Sequence, residues 1–229
     1  MAGLATLGTK CEHTRMDLAL PPLPDTAPTA RAIDALLRLR AGRAHEFCGP
    51  ARRLLAVWMM ARLPAGAPVI WIAPRWGADR LCPTGLRDWA SPEGLIHVAP
   101  ARTSDALACA EESLRSGAVA LVVAELPEPP ALTPLRRLHL AAETGLARRR
   151  SVSGAEARLH ALVLTPDRGG TPGVESRWHL APCPADDPPL HAPVQSAWRL
   201  HRLRARMAPP AAWRVAGNMQ AHPCPPELA

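Results

Sequence analysis

The stretch His45–Leu63, HEFCGPARRLLAVWMMARL, constrains the fold more than any other part of the chain. A short strand (His45–Cys48) meets a tight turn at Gly49–Pro50, and an apolar helix follows from Arg52 to Leu63. Strand, glycine turn and helix is the layout of a phosphate-binding loop, whose backbone N–H groups and helix N-terminus hold an anion. The full motif is G-x-x-x-x-G-K-[ST]. Counted from Gly49, its second glycine, its lysine and its hydroxyl residue fall at Leu54, Leu55 and Ala56. The frame is present and the chemically committed groups are replaced. Gly49, Pro50, Leu54, Leu55 and Ala56 therefore read as a degenerate phosphate loop. Lys10 is the only lysine among 27 basic residues and lies in a poorly patterned N-terminal stretch, so no lysine can serve such a loop. The expectation is a non-enzyme with no catalytic residue, no metal site and no cofactor.

The helix from Arg52 to Leu63 is apolar nearly all round, which predicts a buried central helix packed on a sheet. Arg52 and Arg53 sit in its first turn, where the macrodipole mildly disfavours a cation. They read as solvated arginines, with attraction of an anion to the turn as the alternative.

The remaining periodicities place an α/β domain around this unit. Residues 1–29 carry little pattern beyond PPLPDTAP and read as an irregular tail. Thr29 is a cap candidate for a helix from Ala30 to Arg40, ended by Gly42. PVIWIAP is a continuous apolar run of the kind that a parallel strand buried on both faces requires, and GLIHVAP, AVALVVA and LHALVLT read as further short apolar strands, the last of them buried. A helix from Asp105 to Arg115, capped by Ser104 or Asp105, joins the second and third of these, giving a right-handed βαβ unit. Glu111 and Glu112 read as its solvated face. Glu125 stands one residue beyond the place of a metal-binding carboxylate, since the apolar run ends at Ala124. A shift of one residue turns a strand side chain to the other face, so capping or loop contacts are its expected role. A second helix is predicted over Thr133–Thr144, followed by a basic connection holding Arg148, Arg149 and Arg150. Two later strands, Ser176–Ala181 and Ala197–Arg206, flank a proline-rich loop, and Ala211–Ala216 can pair back as a hairpin arm. In the second strand alternation breaks near residue 202. Its arginines, Arg199, Arg202, Arg204 and Arg206, are candidate contacts for a partner or for DNA phosphate. The predicted division is a tail over 1–29, one domain over 30–216 and a loose tail over 217–229.

At 229 residues, nearly half of them hydrophobic, the chain can bury a sizeable core. No run reaches the roughly 18–20 apolar residues needed to span a bilayer, and no secretory leader is recognisable. The six cysteines form no C-x-x-C pair, and cytosolic thiols are the expectation. The formal charge of +7 rests on arginine, which together with 27 prolines reads first as the composition of a GC-rich genome, with an acidic partner or nucleic-acid phosphate as the alternative. Aromatic residues make up only 3% of the chain, a poor supply for a base-stacking platform.

The segment GLIHVAPARTSDALACAEESLRSGAVALVVAEL resembles the RecA core, with the same strand, an acidic helix ending in the step Arg115–Ser116–Gly117–Ala118–Val119, and the next strand. Four further signatures accompany it: Gly42, Arg43, His45 and Glu46; the degenerate GPARRLLA; Ala124–Glu125–Leu126; and Arg177–Pro182 with Trp198–Leu200. That set is similar to the ImuA family across residues 42–216. The resemblance implies a RecA-like α/β core: a mainly parallel twisted sheet flanked by helices, with a degenerate phosphate loop and C-terminal antiparallel strands. It implies a non-catalytic adaptor that binds ImuB and an error-prone replicative-type DNA polymerase during lesion bypass in the SOS response. RecA and single-stranded DNA are further partners it allows, with no membrane. The alternatives are a SulA-like cell-division inhibitor and a nucleotide- or DNA-binding RecA paralogue.

Overall fold

The computed structural model describes residues 33, 35–77, 80–183, 197–216 and 221–224. The tail expected over 1–29 lies outside them. Among the described residues nine strands form one sheet in the order β3-β2-β4-β5-β1-β6-β7-β8-β9. The strands are β1 (Ala44–Cys48), β2 (Val69–Ile72), β3 (Leu95–Val98), β4 (Leu121–Glu125), β5 (His160–Thr165), β6 (Ser176–Cys183), β7 (Ala197–Ala205), β8 (Ala211–Ala216) and β9 (Ala221–Cys224). Pairing is parallel from β3 through to β6 and antiparallel from β6 to β9. The expected parallel sheet with antiparallel C-terminal strands is therefore present.

The central strands β2, β4 and β5 are apolar on both faces because each face carries its own core, whereas the edge strand β3 is half exposed, with Ile96 open to solvent. On one face Phe47, Trp71, Leu121, Val123, Leu162 and Leu164 pack under helix α1 (Arg52–Met60). On the other, Ala44, Val122, Ala124, Ala161 and Val163 pack under α3 (Thr103–Ser116) and α4 (Leu132–Ser153). A short α2 (Pro83–Leu86) lies between β2 and β3 in sequence. As its composition predicts, α1 is buried from Leu55 to Met60.

Four local expectations need correction. The first predicted helix does not reach Arg40: residues 35 and 36 are helical, and the chain runs on without helix from Leu37. Side chains capture its carbonyls there, Arg62 donating to Leu37 O at 2.9 Å and His45 Nε2 bonding Arg40 O at 3.0 Å. Neither Ser104 nor Asp105 caps α3. Its N-cap is Arg102, without a side-chain cap, and Ser104 donates to Asp105 instead.

The second long helix does not stop at Thr144. It continues through Gly145 and takes in Arg148, Arg149 and Arg150. Gly145 suggests a stop by propensity, yet here it is a notch. A Cβ at this position would collide with the Leu114 carbonyl at the end of α3, so the missing side chain lets the two helices meet. Arg148 and Arg149 then donate to the carbonyls of Arg115, Gly117 and Ala118, tying α4 to the exit of α3. Finally, the tail expected to be loose contains β9, whose residues 221–224 pair with β8.

Candidate functional site

The turn after β1 is closed from within. Only Gly49, Pro50 and Ala51 separate β1 from α1. Gly49 has φ +91, and a Cβ there would lie 2.5 Å from Leu180 O and 2.7 Å from His179 Nε2. Only glycine tolerates both the backbone and the approach. Ala51 N–H donates to Leu180 O at 3.0 Å, and Arg52 N–H to Gly49 O at 3.2 Å. Two amides of the turn, those of Ala51 and Arg52, thus face neighbouring carbonyls, one of them on β6. Leu54 lies inside α1, and Leu55 and Ala56 are fully buried in the core. These positions serve packing.

Arg53 and Glu125 occupy the space between the start of α1 and the end of β4. Glu125 shares its face of β4 with Leu121 and Val123, the face under α1. Arg53 Nε donates to both carboxylate oxygens, at 3.1 and 2.9 Å, and its Nη2 lies 2.8 Å from Oε2. Trp71 Nε1 on β2 adds a third donor at 2.6 Å. Sequence reasoning gave Arg53 to solvent and Glu125 to a cap or loop. The structure makes them a partly buried pair, 72 residues apart in the chain. Arg52 instead turns back on Gly49 O. Among the described residues no cluster of three or more His, Cys, Asp or Glu side chains is placed to hold a metal ion.

A second buried carboxylate organises the loop after β5. Glu46 on β1 is completely enclosed. It accepts from Thr165 Oγ1 (2.7 Å), Thr171 Oγ1 (2.6 Å), the Gly170 and Thr171 amides, and Arg177 Nε on β6. Burial pushes its pKa up, but the bonds from Thr171, Arg177 and Thr165 outweigh that, and the net shift is downward. His45, next to it, faces the other way and joins Ser176 Oγ at 2.7 Å to Arg40 O. Burial lowers its pKa to about 4. The short signature Gly42, Arg43, His45, Glu46 is therefore a structural clasp: Arg43 pairs with Glu143 on α4, and the other polar members pin residues 40 and 165–177.

The C-terminal arginines do not form one patch. A register shift between Arg177 and Trp178 moves the alternation of β7, which is the break visible near residue 202. Arg202, just before the unpaired Leu203, keeps the face of Leu200, over the rings of Trp178 and Trp213 at 5.6 and 5.2 Å, and donates to Pro209 O. Arg206 lies 3.6 Å from Glu175 Oε2. Arg199 is half-buried opposite Arg214 on β8. Arg204 is exposed. It shares the opposite face with His179 and His201, whose rings meet edge to face at 5.9 Å. Exposed Arg168 sits near both histidines. Burial, each other's charge or that of Arg199, and Arg168 lower both imidazole pKa values. Sequence reasoning missed Arg168, which gives no signal in a Gly/Pro loop.

The other sequence candidates are structural. Glu111 is buried between Arg115 and Arg137, while Glu112 is exposed on the same arginine. Glu111 was therefore misplaced on a solvated face. No helix of the described residues is long and apolar enough to cross a membrane.

No family model matches the chain, and no curated protein matches it. Among solved structures it is similar to the RadB recombinase, with a TM-score of 0.53 and 15% sequence identity over 85% of this chain and 97% of that one. It is also similar to SulA from Pseudomonas aeruginosa, with a TM-score of 0.41 and 18% identity over 54% of this chain and 98% of that one. The RadB likeness shows the fold: the chain is a RecA-like α/β domain.

Proposed function

We propose that this chain is a non-catalytic RecA-like adaptor of damage-inducible translesion synthesis, binding ImuB and an error-prone replicative-type DNA polymerase in the cytoplasm. The observation that carries the non-catalytic part is the Arg53–Glu125 pair. A protein cation stands against the carboxylate at the end of β4, and the adjoining turn spends its amides on Leu180 and Gly49. A turn that engages two of its own amides, beside a carboxylate already paired with a protein cation, supports a fold kept for its surfaces. The choice of partners rests on the ImuA-like signatures across residues 42–216.

The exposed arginines Arg168 and Arg204, beside His179 and His201, are the contact surface we favour. Removing residues 197–229 is no test of it, because β7 and β8 supply Trp198, Leu200 and Val215 to the core. The test is co-purification of the full chain with ImuB, wild type against the double variant Arg168→Glu/Arg204→Glu. A stable wild-type complex weakened at least about tenfold by the charge reversal supports the adaptor; each tenfold is about 1.4 kcal/mol. No wild-type complex at micromolar concentration sinks it. ATP turnover above background would sink the non-catalytic part.

The same arginines favour a second reading, contact with single-stranded DNA through phosphate. That contact would weaken steeply with added salt and show little base preference.

A further inference from the structure

A cavity of about 650 Å³ opens where β6 begins and β7 ends, on the Leu200 face of the sheet, away from Arg204. Leu36, Trp178 and Met207 give it an apolar wall. Trp178 is nearly enclosed, whereas Met207, in the turn between β7 and β8, is 90% exposed. The indole is fixed in place. Its Nε1 donates to Ser176 Oγ at 3.0 Å, and that hydroxyl meets His45 Nδ1 at 2.7 Å.

Three guanidinium groups are tied to this wall by specific contacts. Half-buried Arg202 lies 5.6 Å from the centre of the Trp178 ring and 5.2 Å from that of Trp213. Its Nε is taken by Pro209 O at 2.9 Å. Among the described residues its Nη groups have no hydrogen-bond partner and it makes no ion pair. Arg40 and Arg206 share one carboxylate, that of Glu175, each at 3.6 Å. Glu175 is the only acidic residue among those that line the cavity, so it offsets one of the three cations.

Tryptophan and methionine at the centre with arginine around them is the composition of a protein interface. A fixed indole with an adaptable methionine beside it suits an aliphatic side chain, and an excess of guanidinium selects an acidic occupant. We propose that this groove docks an acidic peptide segment of a partner protein, an aliphatic side chain against Trp178 and Met207 and a carboxylate on the free Nη groups of Arg202. The proposal stands with or without the adaptor reading, whose contact residue Arg204 lies on the other face of the sheet.

The experiment measures fluorescence anisotropy of the full chain with two libraries of short labelled peptides. One places leucine or methionine amid aspartate and glutamate; the other has asparagine and glutamine in the acidic positions. Saturable binding of the acidic library is expected, at least tenfold tighter than that of the amide library. Arg202→Gln should weaken it tenfold or more. Arg40→Gln/Arg206→Gln and Met207→Gln change exposed residues, keep the test independent of folding, and should each weaken it several-fold. No saturable binding, equal binding of the two libraries, or binding that all three variants leave unchanged overturns the proposal. A short oligodeoxythymidylate that binds in place of the peptides, with the same losses, would assign the groove to nucleic-acid phosphate and overturn it. Self-association that Met207→Gln abolishes, without peptide binding, would give the groove to a second copy of the chain and overturn it as well.

Discussion

Arg53 and Glu125, at the start of α1 and the end of β4, face each other across the mouth of the sheet with three guanidinium–carboxylate contacts of 3.1 Å or less. This pair joins a helix to a strand. Its consequence is mechanical as well as chemical. The carboxylate also holds Trp71 on β2, so one side chain connects α1, β2 and β4.

Replacing Glu125 by Ala should therefore destabilise the fold by about 2–4 kcal/mol, because it strands a partly buried cation and an indole N–H. Glu125→Gln keeps an acceptor for Trp71 and should cost less. Urea denaturation of the two variants checks the order; equal midpoints for both variants and the wild type would refute the pairing.

Glu46 should prove the more sensitive carboxylate, being wholly enclosed and bonded to residues on β5, β6 and the loop between them. Glu46→Ala is expected to cost about 3–5 kcal/mol and to expose the 166–175 loop to proteolysis before global unfolding. Limited proteolysis with mass spectrometry reads the cut sites. Cleavage no faster than in the wild type would remove Glu46 from its role as the anchor of that loop.

Acid should act on this protein through histidine before carboxylate. His45 has its pKa lowered from 6.5 to about 4, and His160 to about 3, burial being the first cause in each. The unfolded chain thus binds protons that the folded one refuses, and stability rises with pH in that window. It is full above pH 6.5 and falls as pH drops towards 4, by about 3 kcal/mol for His45 alone. Glu46, with its pKa lowered, contributes stability present above its unfolded value of 4.5 and lost as pH falls through the lower folded value. Denaturation midpoints between pH 7 and 4 test this, and His45→Gln should flatten the slope. An unchanged slope in that variant would count against the assignment.

Gly145→Ala pits two known magnitudes against each other. Helix propensity favours alanine by about 1 kcal/mol. The new methyl would meet the Leu114 carbonyl, and overpacking costs about 1–3 kcal/mol, occasionally more. Net destabilisation by about 1–2 kcal/mol is expected, and a thermal midpoint above that of the wild type would contradict the notch.

Much of the sheet was legible because its strands are short apolar runs bounded by Gly and Pro, and α1 because its apolar residues surround it. The failures share a cause. Gly145 looks like a stop until the end of α3 is known to lie against it. Arg53 looks solvated until Glu125, 72 positions away, is brought beneath it. Glu46 draws its partners from 119 to 131 residues further on. Local periodicity records which face a residue takes, and it is silent about what waits on that face. The bulge at Leu203, beside Arg202, was half visible, as a break in alternation, but its effect on Arg204 needed the register of β6.

The indole cluster at the seam between parallel and antiparallel strands has an optical consequence. Trp58 meets Trp198 edge to face at 5.7 Å, Trp89 meets Trp198 at 6.2 Å, and Trp178 stacks on Trp213 at 5.9 Å. The chain has seven tryptophans and no tyrosine. Its near-ultraviolet absorption and emission thus come almost wholly from tryptophan, and five of the seven rings lie in two groups that both include a ring of the C-terminal strands. Coupled transitions between these rings make the protein its own spectroscopic gauge of whether the C-terminal strands are docked, with no label attached.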